Sequence, residues 1–351
     1  MKVKAQDLSA AIKNCALAMP SINIVPIMDF VLVDADSKNI QAVCERFEYE
    51  ERIEIAGSGQ ILLHRSAFPV IHSIPSSDSI ILEKKKMLWN GGSLELIYQD
   101  PKHFKIPDKV KADLFFRIDS ADLKAAISKL NGLLDPKENE LSGYFPLWIQ
   151  DGHLCGGSSF SVGAIPLGIP PTSDSIPFPR ESFRQIQAWI DGIQQVSVSS
   201  KSLVFSGENK GFSITKGHFA SRAFIAMLNM VRSKANEGGL LQVNSSVIDA
   251  VKMVVNASPD KIDLEFGKDS LTISGFLGIN GFELGGQKVM QRIDCVCSLD
   301  QTIRVQSKTF LNNLIHASEL RIANHNNGHQ TIPALFLSGT DWMSSIAPIV
   351  V

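Results

Sequence analysis

The chain is predicted to be an α+β protein made from one strand–helix unit repeated six times. Three observations carry that prediction. A strand pattern, a polar pair and a helix-spaced apolar stripe recur from residues 1, 60, 114, 175, 240 and 301. The starts are separated by 59, 54, 61, 65 and 61 residues, and near-even spacing marks a repeated architectural unit. Each helix pattern is followed by runs of alternating polarity between turn residues, as in antiparallel hairpins.

The first unit opens on MKVKAQDLSAAIKNCALAM, and the second on QILLHRSAFPVIHSIP from Gln60. Pro69 falls in the first helical turn, where a missing N–H costs little. In the third, LFFRIDSADLKAAISKLNGLL from Leu114, Leu123, Ile127 and Leu130 stand at i, i+4 and i+7, with Asp119 or Ser120 at the N-cap. The fourth, SIPFPRESFRQIQAWI from Ser175, has Pro179 at its helix start. The fifth, LLQVNSSVIDAVKMVVN from Leu240, repeats the stripe with Val247, Val251 and Val254. Ser245 or Ser246 is its expected cap, with Asp249 placed as in a capping box. The sixth contains TIRVQSKTFLNNLIHAS from Thr302.

Taken in pairs, the units imply three similar domains, 1–111, 112–237 and 238–351. Each would have two helices and two small antiparallel sheets related by a pseudo-twofold. The polar stretches PDKVKAD and RSKANEGG mark the expected boundaries.

The bulk composition is that of an ordinary globular chain: 44% apolar, 20% charged, formal charge −2. That sum announces neither a polycation nor a membrane surface. No apolar run is long enough to span a bilayer, and the N-terminal residues do not read as a secretory signal. Five cysteines, Cys15, Cys44, Cys155, Cys295 and Cys297, are too irregularly spaced for a disulfide framework, so a reduced, cytoplasmic chain is expected.

No catalytic, metal or cofactor site is predicted. Cys295 and Cys297 alternate as buried strand residues would and lack further ligands. His325 and His329 are placed in a polar loop. GGSSFSVG lacks the pattern around a nucleophile elbow. The EKKK run at Glu83–Lys86 reads as a solvated strand edge.

Five stretches, in order, carry a likeness along the whole chain. They are INIVPIMDFVLVDADSKNIQAVCERFEYEERIEIAG from Ile22, LELIYQDPKHFKIPD from Leu94, DGHLCGGSSFSVGAIPLG from Asp151, FASRAFIAMLNMVRSK from Phe219 and SSIAPIVV from Ser344. The chain resembles the bacterial DNA polymerase III beta subunit family, the DNA sliding clamps, as a divergent member. That resemblance implies half of a closed ring: a homodimer around double-stranded DNA, contacted without regard to sequence. It also implies that DNA polymerase and the clamp loader dock by short linear motifs, and that the chain is not an enzyme.

On that reading the helices line the hole. Their charges are +1 each for residues 65–74, 120–134 and 307–317 and zero for the other three, giving +3. The expected DNA-facing cations are Arg65, Lys124, Lys129, Arg184, Lys252 and Lys308. A weakly positive lining suits sliding, because strong phosphate contacts would hold the ring in place.

The partner-peptide pocket is expected from Gly157, Ser158, Phe160, Leu167, Ile346, Pro348 and Ile349. The family's ATDGHRL run corresponds here to LCGGSSF, so Gly156, Ser158 and Ser159 replace Asp, His and Arg. The tail Ala347–Val351 also departs from the usual Met-Pro-Met-Arg-Leu, and an altered motif preference follows as an expectation.

Overall fold

All six predicted starts are strands that lead into helices. The computed structural model describes residues 1–19, 25–106, 112–133, 147–157, 161–171, 175–178, 182–216, 229, 233, 239–279, 282–295, 301–326, 331–339 and 342–346. The first set is β1 (Lys2–Lys4), α1 (Ala5–Ala18), β2 (Phe30–Asp34), β3 (Asn39–Val43) and β4 (Phe47–Arg52). After the short β5 (Ile55–Ala56) come β6 (Gln60–His64), α2 (Phe68–Ser73), β7 (Ser79–Glu83), β8 (Lys86–Trp89) and β9 (Gly92–Glu95).

The third set is β10 (Leu114–Arg117), α3 (Ser120–Leu133), β11 (Leu147–Gln150), β12 (His153–Gly157) and β13 (Ser161–Pro166). The fourth is β14 (Ile176–Phe178), α4 (Phe183–Trp189), β15 (Ile193–Val198), β16 (Ser202–Gly207) and β17 (Lys210–Thr215). The fifth comprises β18 (Gly239–Gln242), α5 (Ser245–Ala257), β19 (Lys261–Gly267), β20 (Ser270–Ile279) and β21 (Phe282–Asp294). The sixth is β22 (Gln301–Gln306), α6 (Ser307–Leu314), β23 (Glu319–Asn326), β24 (Thr331–Gly339) and β25 (Trp342–Ile346).

The sets exchange their leading strands. β1 lies beside β7 and β6 beside β2; β10 lies beside β15 and β14 beside β11; β18 lies beside β23 and β22 beside β19. A leading strand thus completes a neighbouring set's three-stranded meander, so one set alone could not bury its sheet.

The chain folds as two compact units, Met1–Lys124 with Phe178–Gly217, and Ala125–Pro177 with His218–Val351. Segment 112–237 is therefore distributed between both, because its strands join sheets begun by other parts of the chain. The expected boundary residues 107–111 and 234–238 lie outside the described residues.

In the first unit, a five-stranded sheet has the order β5-β1-β7-β8-β9, and an eight-stranded sheet the order β10-β15-β16-β17-β4-β3-β2-β6. The eight strands become continuous where β17 meets β4 antiparallel, with Phe212 opposite Tyr49 and Ile214 opposite Phe47. Leu8, Ile12 and Cys15 form the buried stripe of α1. Trp189 of α4 is wholly buried, its ring centroid 4.9 Å from that of Tyr49 and 5.3 Å from that of Phe212. Its indole N–H donates to the Asn14 carbonyl at 3.2 Å, which satisfies the one polar atom of a large apolar side chain. The Tyr49 hydroxyl donates to Glu51 Oε2 at 2.7 Å, and burial followed by that contact pushes its pKa far up.

In the second unit, the eight-stranded order is β14-β11-β12-β13-β25-β24-β23-β18, and a four-stranded sheet runs β21-β20-β19-β22. Trp148, Cys155, Val162 and Ala164 share one core cluster with Ala323, Ala334 and Phe336, so the β13–β25 junction is packed as well as hydrogen-bonded. Asp263 and Arg304 stand opposite on β19 and β22 and make a two-pronged pair, Nε–Oδ1 2.6 Å and Nη2–Oδ2 2.9 Å. The α5 stripe is Val247, Val251 and Val254, as predicted.

Local chemistry departs from the sequence reading at three places. The cap of α5 is Asn244, whose Oδ1 accepts from Val247 N at 3.1 Å; neither Ser245 nor Ser246 fills that role. In α3, by contrast, the cap is Asp119, one of the two residues expected there, accepting from Ala121 N at 2.7 Å. His325 lies in β23 opposite Ile332, because that hairpin extends further than its polarity implied, while His329 and Cys297 lie outside the described residues. Lys84 and Lys85 form the turn between β7 and β8, leaving only Glu83 and Lys86 in strands.

Candidate nucleic-acid interface and partner groove

The helices bury their stripes on the sheets and turn short polar faces outward. On α1 the exposed positions Gln6, Ala10 and Lys13 follow i, i+4 and i+7. On α5 they include Ser245, Asp249, Lys252, Met253 and Asn256. Such faces are nearly neutral and rich in small or uncharged residues.

The six predicted cations separate into two groups. Lys124 of α3 reaches both carboxylate oxygens of Asp191 at 3.0 Å. Arg65, in the turn before α2, holds Asp29 at 2.7 Å, and Lys252 sits 3.7 Å from Asp249 one turn earlier. These three are partly neutralised by acids. Arg184 on α4 and Lys308 on α6 are exposed, and Lys129 on α3 is half-buried. Among the described residues none of these last three forms an ion pair. Lys13 is a further exposed helix cation that the sequence reading did not single out. Arg65, Lys124 and Arg184 belong to the first unit, Lys129, Lys252 and Lys308 to the second.

The residues predicted for a partner groove that the structure describes fall in or next to β12, β13 and β25 of the second unit. Asp151 (φ 49°) and Gly152 (φ 76°) form the two-residue turn between β11 and β12, with both residues left-handed as a type I′ hairpin requires. The next strand carries Gly156, where an added Cβ would lie 2.9 Å from Leu130 Cδ2 and 3.1 Å from Leu147 Cδ2. An apolar helix residue therefore occupies the space a side chain at 156 would need. Gly157, also buried, pairs with Val162, and Ser161 pairs with Ile346. Gly157 and Ile346 thus flank one end of β13.

Leu167 is buried at the other end, six residues from Ser161, or about 20 Å of extended chain. The fold therefore brings Gly157 and Ile346 together but places Leu167 apart from them. Ile346 is itself fully buried, so in this conformation its side chain supports the sheet. Ser158, Phe160, Pro348 and Ile349 lie outside the described residues.

Among the described residues no group of His, Cys, Asp and Glu is arranged to hold a metal ion, and no helix is long and apolar enough to cross a membrane. Cys15 and Cys155 are buried thiols.

No protein-family profile matches the chain, and no curated protein sequence matches it. Solved structures do. A putative DNA polymerase III beta subunit from Eubacterium rectale superposes with a TM-score of 0.78 at 14% identity, covering 100% of this chain and 99% of that one. The DNA polymerase III subunit beta from Pseudomonas aeruginosa gives 0.78 at 12% identity, with 100% of both chains covered. The DNA polymerase sliding clamp from Bacillus subtilis gives 0.78 at 14%, covering 100% and 98%. The chain has the fold of these sliding clamps along its full length.

Proposed function

We propose that this chain is a divergent DNA sliding clamp, a non-catalytic processivity factor that closes as a homodimeric ring around duplex DNA and tethers a polymerase. The observation that carries the reading is the pattern of strand seams. The last strands of the first and fourth sets, β4 and β17, pair antiparallel; so do the last strands of the third and sixth, β13 and β25. The last strands of the second and fifth sets, β9 and β21, are left at sheet edges. A long unpaired edge is a template for another chain. Pairing β9 of one copy with β21 of a second would repeat the same seam, and two such contacts close a head-to-tail assembly.

Within this reading the three domains are 1–111, 112–237 and 238–351, each joined to the next by a shared sheet. The DNA-facing cations are Arg65, Lys124, Lys129, Arg184, Lys252 and Lys308, acting on phosphates through a screened, low-affinity field. The partner groove takes an apolar linear motif at Gly157, Ser158, Phe160, Ile346, Pro348 and Ile349, with Leu167 as its remote apolar support. Loss of the Asp, His and Arg anchors shifts its preference toward more apolar peptides.

A second reading keeps the fold but not the loading: an interaction protein that no longer encircles DNA. The acid partners of Arg65, Lys124 and Lys252 favour it, because they remove charge from the lining. Native mass measurement tests the proposed assembly. A species of twice 38.4 kDa is expected, reduced to one copy by Ser93→Pro on β9, which removes an edge N–H. A wild-type monomer at micromolar concentration would overturn the homodimer.

A further inference from the structure

The β7–β8 turn and the segment after β9 gather a charge that the clamp reading does not use. Lys84, Lys85 and Lys86 follow one another and are all exposed. The N–H of Leu96 donates to the Lys85 carbonyl at 2.8 Å, which holds residues 96–98 alongside the turn. Tyr98 is 38% exposed, with Lys84 Nζ 4.9 Å and Lys85 Nζ 5.8 Å from its ring centroid. Lys102, exposed in the next turn, is four residues on and within about 14 Å of chain.

Glu83, next to Lys84, stands in register with Lys86 across β7 and β8. Glu95 stands directly opposite Lys86 across β8 and β9. Asp100 uses Oδ1 to accept from the Lys102 N–H at 3.0 Å, capping its own turn. Lys84 and Lys85 stand as cations beside the aromatic ring, and Lys102 lies in the turn that follows it in the chain. Two ammonium groups over one ring are drawn to its negative face, but they repel each other, and a bound anion relieves that repulsion.

We infer that this patch is a contact site for single-stranded DNA, with Lys84, Lys85 and Lys102 on phosphates and Tyr98 as the stacking face for one base. Cationic side chains that follow the backbone beside an aromatic platform are the combination single strands require. An acidic polypeptide would use the charges but not the ring. None of Lys84, Lys85, Tyr98 and Lys102 is among the six cations proposed for the duplex lining.

Fluorescence anisotropy of a labelled oligo-dT against the full chain tests the inference, with polyglutamate as competitor and thermal melting as the folding control. Three phosphate contacts on a single strand predict a log–log salt slope of about −2. Lys84→Glu with Lys85→Glu should bring the slope to about −0.7, the one contact left at Lys102. Tyr98→Ala should weaken oligo-dT binding about tenfold while Tyr98→Phe keeps it, since one stacked base contributes on that order. Retention on circular duplex DNA should be unchanged in all variants. Equal binding by wild type and Tyr98→Ala, or equal affinity for polyglutamate and oligo-dT, would overturn the proposal.

Discussion

The Lys124 ammonium lies 3.0 Å from both carboxylate oxygens of Asp191, a residue 67 positions further along the chain. Both side chains are well exposed, 49% and 66%, so solvent screens the pair and it adds little to stability. Its consequence is for function: it removes one cation from the face proposed to meet phosphate. Asp191→Asn should leave the melting temperature nearly unchanged. It should steepen the log–log salt dependence of duplex binding by about 0.9, one added phosphate contact. An unchanged slope would mean that Lys124 does not face DNA.

Gly156 allows Leu130 of α3 to press against β12 and Leu147. The resembling clamps carry Asp at this position, but here a carboxylate would enter a buried apolar contact. Gly156→Asp should destabilise the fold by about 3 kcal/mol or more, read by urea denaturation, because a buried charge without a partner is strongly penalised. A near-neutral effect would show that α3 moves freely aside.

Asn313 and Ser344 are both fully buried, and the serine hydroxyl donates to Asn313 Oδ1 at 2.7 Å. The amide nitrogen of Asn313 donates to the Thr309 carbonyl at 2.7 Å. This links α6 to β25, the strand that carries Ile346. Asn313→Ala leaves the Ser344 hydroxyl unpaired and should cost about 1–3 kcal/mol in chemical denaturation. Adding Ser344→Ala should restore part of that loss, since the unpaired hydroxyl is then gone.

Burial alone would raise the Asp34 carboxyl. Hydrogen bonds from the Gln60 side chain and from Ser37 and Asp36 outweigh it and hold the group below its ordinary value of 3.8. A depressed folded-state pKa gives stabilisation that is present above the unfolded value and lost as pH falls through the folded one. Asp34→Asn should therefore flatten the loss of stability below about pH 4. Denaturant midpoints measured from pH 6 to pH 2 check this; parallel curves for the two proteins would refute it.

The repeat was legible because it is local. A strand leading into a helix with apolar residues at i, i+4 and i+7 can be read from adjacent residues, and the strands begin at 2, 60, 114, 176, 239 and 301. The exchange of leading strands was not legible, because it depends on pairings such as Lys2 with Ile81, whose partners are distant in sequence. The same limit affected the sites. Lys124 reads as a free helix cation until Asp191 is brought beside it. Leu167 reads as a groove residue until β13 is seen to separate it from Ile346. Asn244 lost its cap assignment only because two serines follow it directly.

The most direct measurement is retention on nicked circular duplex DNA after loading by an ATP-driven clamp loader, before and after one restriction cut. A closed ring should stay on the circle at high salt and leave when the DNA is linearised. Protein that remains on linear DNA, or never stays on the circle, would contradict a topological tether.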